Sequence, residues 1–226
     1  MEEEHKISTG SDFLDEMLCG GYESGIVTTI YGPPGSGKTN LSLLCLTRNA
    51  EKKVIYVDTE GSFSVDRIKQ LSSNYEEILK NVIILKPVNF EEQKKVFEKL
   101  KSMITDKIGL IIVDSIAMLY RLEIGISKDN FKVNRDLGVQ LVDMVQIARK
   151  FKIPVIITNQ VYADFEDKNK INIVGGDILK YASKCLIELQ KTDTCKKAIL
   201  RKHRSLPEGK EVCFKIINKG IEQIKE

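Results

Sequence analysis

Residues 31–40, YGPPGSGKTN, constrain what this chain can fold into more than any other stretch. Gly32, four intervening residues, then Gly37, Lys38 and Thr39 satisfy the phosphate-loop pattern GxxxxGKS/T. A glycine-rich turn also occurs for steric reasons alone. The flanks decide between the two: apolar IVTTIY leads in and helical NLSLLCL leads out. The loop therefore opens onto a helix N-terminus, where unpaired backbone N–H groups and the helix dipole favour an anion. In this reading Gly32, Pro33, Pro34, Gly35, Ser36, Gly37, Lys38, Thr39 and Asn40 line a phosphate cradle. Lys38 reaches the β- and γ-phosphates of a nucleoside triphosphate, and the Thr39 hydroxyl ligates Mg²⁺.

Such a loop belongs to a sheet of buried strands, and the sequence supplies them. GIVTTIYG (25–32), KVIYVD (53–58), NVIILKP (81–87), GLIIVD (109–114) and IPVIITN (153–159) are β-branched and almost continuously apolar, as strands covered on both faces are. NLSLLCLTRN, VDRIKQLSSNYEEILK, EEQKKVFEKLKSMI and NRDLGVQLVDMVQIARKF lie between them, with apolar residues at helical spacing. The alternation predicts βαβ units, hence an α/β fold with a mainly parallel central sheet flanked by helices. After residue 160 the shorter segments CLIELQKT, KKAILRKH and VCFKIINKG alternate in polarity and are expected as late antiparallel strands at one edge. A chain of 226 residues suits one such domain and not two. Residues 1–6 are expected to be a flexible N-terminus.

Asp114 closes GLIIVD at the carboxyl end of a buried strand, where open α/β sheets bind their ligands, and is the expected second metal-site residue. YVDTEGS puts Asp58 and Glu60 just past another such end, and Glu60 is the candidate to orient and deprotonate an attacking water. Asn159 and Gln160 end IPVIITNQ as polar groups able to sense a γ-phosphate and relay its presence to the segment that follows.

Composition narrows the class. The hydrophobic share of 42% and charged share of 30% are those of an ordinary globular chain. A net charge of +3 neither demands nor excludes nucleic acid, so a basic patch has to be sought locally. Cys19, Cys45, Cys185, Cys195 and Cys213 stand far apart without a CxxC pair or a His at zinc spacing, and are expected as reduced thiols of a cytoplasmic protein, several of them filling the core. The acidic MEEEHKISTG has no apolar leader region, and IGLIIVDSIAMLY (108–120) is short and interrupted by Asp114, so no membrane segment is expected.

ISTGSDFLDEMLCGGYESG, YGPPGSGKT, YVDTEGSF followed by DRI, LIIVDS, PVIITNQV, GGDIL and LPEG, spread over about residues 7 to 218, together resemble the ATPase core of the RecA-type recombinases, in particular their archaeal RadA and RadB branch. The resemblance implies a RecA-like fold that binds ATP and Mg²⁺. It implies Lys38 and Thr39 on phosphates and metal, Asp114 on the metal through water, Glu60 activating water, Gln160 sensing phosphate and Arg67 near the adenine. The helix-hairpin-helix domain and polymerisation segment that precede the core in full recombinases have no counterpart in this sequence, which favours the core-only RadB side of the branch. That side implies a weakly ATP-hydrolysing, DNA-binding accessory of a RadA-type recombinase in homologous recombination and DNA repair, as monomers or small oligomers rather than long filaments. Two rival readings share the fold: a recombinase that exchanges strands unaided, and a KaiC-like signalling ATPase, which LPEG and GGDIL disfavour.

Two segments are candidates to touch DNA. The stretch from Ala163 to Gly175 corresponds to a DNA-facing family loop and carries Phe165, Lys168 and Lys170, opposed by Asp164, Glu166 and Asp167. In LRKHRSLPEG, Arg201, Lys202, His203 and Arg204 form the densest basic cluster of the chain. Recombinases commonly carry an acid where Lys202 stands, near the nucleotide of the adjacent subunit. The cluster is therefore read either as a DNA contact or as a set of cations reaching a neighbour's nucleotide.

Overall fold

A computed structural model describes residues 5–163 and 171–224. Strand β1 (Lys6–Ile7) pairs antiparallel with β2 (Tyr22–Glu23) across helix α1 (Asp12–Met17), so Lys6 belongs to an ordered element. The five apolar runs are strands β3 (Val27–Tyr31), β4 (Lys53–Asp58), β5 (Val82–Leu85), β6 (Ile108–Asp114) and β7 (Val155–Asn159). The helices between them are α2 (Lys38–Arg48), α3 (Val65–Leu71), α4 (Tyr75–Lys80), α5 (Phe90–Met103), α6 (Met118–Ile126) and α7 (Asn130–Phe151). The chain continues through β8 (Val161–Ala163), β9 (Ile171–Ile173), α8 (Gly176–Ala182), β10 (Cys185–Lys191), β11 (Lys196–His203), β12 (Glu211–Ile217) and β13 (Gly220–Ile224).

Nine strands form one sheet in the order β13-β12-β11-β10-β3-β7-β6-β4-β5. From β10 to β5 every neighbouring pair is parallel, whereas β11, β12 and β13 continue antiparallel. The late strands are thus antiparallel as expected except β10, which joins the parallel half beside β3. Alternate residues feed opposite cores. Ile55, Val57, Ile111 and Val113 pack with α5, α6, α7 and α8, while Val54, Tyr56, Leu110 and Ile112 pack with α1, α2, α3 and α4. Burial on both faces is why these strands read as continuous apolar runs.

Two local expectations fail for identifiable reasons. The helix expected over 65–80 is two helices, because Ser72 turns extended at φ −149° and its Oγ accepts from Asn74 N–H at 3.2 Å. Ser and Asn offer the backbone such non-helical partners. Helix α6 was hidden because its apolar residues run on from those of β6, and a merged apolar run has no period to separate them. Among the described residues no helix is long and apolar enough to cross a membrane.

Candidate nucleotide-binding site

Parallel strands present their carboxyl ends on one side of the sheet, and the sequence candidates gather there. The loop leaving β3 carries residues 32–37, β4 delivers Asp58 and Glu60, β6 ends on Asp114, and β7 ends on Asn159 and Gln160. A β-carbon at Gly32 would sit 2.3 Å from Leu189 O, so only glycine lets the loop lie this close to β10. Helix α2 begins with Gly37 as its cap, makes no side-chain cap hydrogen bond and has no acid in its first turn. Its leading N–H groups keep their capacity for an anion. Ser36 Oγ is fully buried without a hydrogen-bond partner among the described residues, another polar group the loop does not spend on itself.

Lys38 is folded over the loop, donating from Nζ to Gly32 O at 2.8 Å and Pro33 O at 3.0 Å. Burial draws its ammonium below the ordinary lysine range, against the pull of nearby Glu60 and Asp114. Thr39 Oγ1 donates to Asp114 Oδ2 at 2.8 Å. Tyr56 OH at 2.8 Å and Ser62 Oγ at 2.9 Å donate to the same oxygen, and the Thr158 hydroxyl donates to Oδ1. With its proton on Asp114, the Thr39 oxygen keeps a lone pair, and the paired hydroxyl and carboxylate are the hard oxygen donors that Mg²⁺ takes. These residues fit a nucleotide's phosphates and its magnesium.

The two acids at the end of β4 and just past it differ sharply. Asp58 is buried and spends its oxygens on Ser62 N–H at 2.9 Å and Phe63 N–H at 3.3 Å, shaping the turn. Glu60 is exposed, and its Oε1 accepts from Ser115 Oγ at 2.6 Å and Gln160 Nε2 at 2.8 Å, whereas Oε2 has no such donor among the described residues. Asn159 is buried instead, donating to Val174 O at 2.7 Å, while Val174 N–H donates to Gln160 O at 3.1 Å. The excursion between β7 and α8 is thereby tied at its far end to both polar residues. Ser62, Ser115 and Thr158 were not candidates in the sequence. Each lies within two residues of one that was, but only the fold shows which way its hydroxyl points.

Arg67 reaches far along the chain. Its Nε donates to Asn40 Oδ1 at 2.8 Å, one terminal nitrogen to Gln70 Oε1 and Asn218 O, the other to Ile217 O and Gly220 O. The guanidinium has five donors and all five are used, so an aromatic base could meet only its flat face.

The basic cluster is not assembled as one patch. Arg201 Nε bonds Glu188 Oε2 at 2.6 Å. Lys202 Nζ donates to Lys180 O and Ser183 O at the end of α8, and burial followed by neighbouring Lys184 lowers its pKa. The His203 ring lies 3.5 Å from Glu23 Oε1, and Arg204 Nε donates to Glu23 Oε2 at 2.6 Å. Arg201, Lys202 and Arg204 thus meet three separate sets of internal acceptors, while His203 Nδ1 itself accepts from Ser205 N–H and Leu206 N–H at 3.2 Å. Phe165, Lys168 and Lys170 lie outside the described residues. No disulfide links the five cysteines.

A phosphate loop beside a parallel sheet whose neighbouring strand ends carry an acid, a glutamate and a glutamine defines a RecA-type nucleotide-binding core. The family model for Rad51 matches residues 2–224, and the chain belongs to the Rad51 family. It is 42% identical over 230 residues to the DNA repair and recombination protein RadB of Methanobrevibacter smithii, covering 97% of both chains. It is 45% identical to the protein of that name from Methanococcus maripaludis, covering 94% of this chain and 99% of the relative. A crystal structure of the RadB recombinase superposes with a TM-score of 0.84 at 37% identity, covering 97% of this chain and all of the other.

Proposed function

We propose that this chain binds ATP with Mg²⁺ and serves homologous recombination and DNA repair as a DNA-binding accessory of a RadA-type recombinase, hydrolysing ATP slowly. The observation that carries the reading is the convergence of Lys38, Thr39, Asp114, Glu60 and Gln160 at neighbouring strand ends. Lys38 exchanges its loop carbonyls for phosphate oxygens. Thr39 and Asp114 would hold the magnesium ion. A bound magnesium ion supplies neutralising charge on the phosphate oxygens. Glu60 accepts the proton of a water at its open Oε2, while Ser115 and Gln160 fix its other oxygen. Arg67 offers its face to the adenine.

Gln160 sits where a change at the site can be passed on: its side chain holds Glu60, and its backbone holds Val174 at the far end of the segment read as DNA-facing. Phe165, Lys168 and Lys170 within that segment are the proposed DNA contacts. The names of the relatives, DNA repair and recombination protein, support the process assigned here. The test has two parts. Lys38→Ala should weaken ATP binding at least tenfold in a protein that still melts cooperatively. Binding of the intact chain to single- and double-stranded DNA should depend on ATP, and a RadA-type recombinase should change it. Unchanged ATP affinity in Lys38→Ala would remove the site, and strand exchange by the chain alone would replace the accessory role.

A further inference from the structure

We propose that Lys196 is a positioning residue of the nucleotide site, which holds the phosphate loop at Gly35 and thereby fixes the Pro33–Ser36 turn that leads into the N-terminus of α2. Lys196 opens β11, in register with Lys191 of β10 and Phe214 of β12. Because β10 runs parallel beside β3, the turn leaving β10 stands next to the loop leaving β3. That turn is closed on itself: Thr192 N–H and Oγ1 both donate to Cys195 O at 3.0 Å, and Cys195 N–H donates to Thr192 Oγ1 at 3.1 Å. Lys196 therefore reaches out from a fixed point. Its Cδ lies 3.8 Å from where a β-carbon of Gly37 would be, and its Nζ donates to Gly35 O at 2.7 Å.

The bond to Gly35 matters because, among the described residues, the Gly35–Ser36 peptide is otherwise held only by the turn bond from Ser36 N–H to Pro33 O. Gly35 sits at φ +71°, and a β-carbon there would meet no atom within 4 Å, so no packing against its Cα fixes the turn. The Gly35 carbonyl and the Ser36 N–H belong to one trans peptide plane and point in opposite directions. Drawing the carbonyl out to Lys196 turns the N–H in. It donates to Pro33 O at 3.2 Å, the same carbonyl that Lys38 holds from within at 3.0 Å. Two lysines thus bond different carbonyls of the loop, Lys38 those of Gly32 and Pro33 and Lys196 that of Gly35. Lys196 acts on the shape of the loop and not on one phosphate, so its loss should weaken nucleoside di- and triphosphate alike.

This inference rests on the nucleotide-binding reading, and the experiment separates the two. Affinities for ATP and ADP are measured by calorimetry on the full chain for wild type, Lys196→Met, Lys196→Arg and Lys38→Ala, with the ligand-free melting temperature of each. Lys196→Met keeps the stem beside Gly37 and removes the donor. It should weaken both nucleotides to a similar degree, about five- to tenfold, with the ligand-free melting temperature unchanged. Lys196→Arg, still able to donate to the carbonyl, should restore most of the affinity. Equal affinities in wild type and Lys196→Met, a loss confined to ATP, or no rescue by arginine would overturn the positioning role. If Lys38→Ala weakens binding while Lys196→Met does not, this inference fails and the site stands. If wild type binds neither nucleotide, the site reading itself fails.

Discussion

Gln160 Nε2 donates to Glu60 Oε1 at 2.8 Å across a sequence separation of 100 residues. The two motifs that carry them are therefore one hydrogen-bonded unit, with Ser115 Oγ fixing the same carboxylate oxygen at 2.6 Å. If that unit handles the attacking water, Glu60→Gln should leave ATP affinity intact and slow hydrolysis about a hundredfold, because the amide is isosteric and a poor proton acceptor. Gln160→Ala should act in the same direction. The double variant should be no slower than Glu60→Gln alone, since residues acting as a unit are not additive. Phosphate release at saturating ATP measures all three, and wild-type turnover in Glu60→Gln would make the glutamate a bystander.

Asp114 accepts hydroxyl hydrogen bonds from Thr39, Tyr56, Ser62 and Thr158 while almost wholly buried. Asp114→Asn replaces one accepting oxygen by a donating amide, so hydroxyls that meet there must turn away. A loss of about 1–3 kcal/mol of folding stability is expected, the cost of leaving buried partners unsatisfied. The variant should also lose the part of its ATP affinity that depends on Mg²⁺. Calorimetry with magnesium and with chelator reads this directly, and an undiminished magnesium effect would detach Asp114 from the metal.

Much of this site was legible before any fold was known, and the reason is local. The phosphate loop, β3 and α2 are contiguous, so one stretch of sequence carries both the motif and its context. Asp114 and Gln160 were legible because doubly buried strands announce their own carboxyl ends. The roles of Asp58 and Glu60 were harder to separate, since they depend on which carboxylate turns back to Ser62 and Phe63. Lys196 and the partners of Arg67 at Ile217, Asn218 and Gly220 were not legible at all. Gly35 lies 161 residues from Lys196, and Gly220 lies 153 residues from Arg67, and no local pattern encodes such a contact. The RKHR cluster was harder to read: adjacency in sequence suggested one patch, while the register shift that leaves Arg201 of β11 without a partner on β10, between Leu186 and Ile187, sends neighbouring side chains to different acceptors.

Burial of proton-bearing groups predicts an alkaline limit to stability. Burial raises the thiol of Cys185 to about 12 and raises those of Cys45 and the phenols of Tyr22 and Tyr56 as well. The unfolded chain releases these protons near the ordinary values of 9.0 and 10.0, whereas the folded chain keeps them. Above about pH 9 the folded state therefore binds more protons, and stability falls as pH rises, by up to about 1.4 kcal/mol per pH unit for each such group. Denaturant midpoints on either side of that pH should show the decline. Cys195, lowered first by its hydrogen bond with Cys213, should be alkylated in the folded protein well before Cys45 or Cys185. Equal labelling of Cys185 and Cys195 without denaturant would contradict the burial argument.

Arg204 and Lys202 test whether the basic cluster faces DNA or the protein's own interior. The Glu23 side chain is 1% exposed, with Arg204 at 2.6 Å, His203 at 3.5 Å and Lys6 at 3.9 Å. Arg204→Gln removes the shortest of these contacts and should cost about 1–3 kcal/mol, less than for a fully buried pair because the Arg204 side chain is 37% exposed. Removing both partners in Glu23→Gln/Arg204→Gln leaves no stranded carboxylate and should recover much of that loss. Lys202→Gln takes a cation from the last carbonyls of α8 and should cost less than about 1 kcal/mol. If these contacts are the main work of the two cations, Lys202→Gln/Arg204→Gln, held well below its melting temperature, should bind DNA with an unchanged salt dependence. Each phosphate contact that they did make would instead take about 0.7 to 0.9 from the slope of log affinity against log salt. A shallower slope in a variant that melts like wild type would return the cluster to the DNA interface, and a lowered melting temperature with an unaltered slope would assign it to the fold.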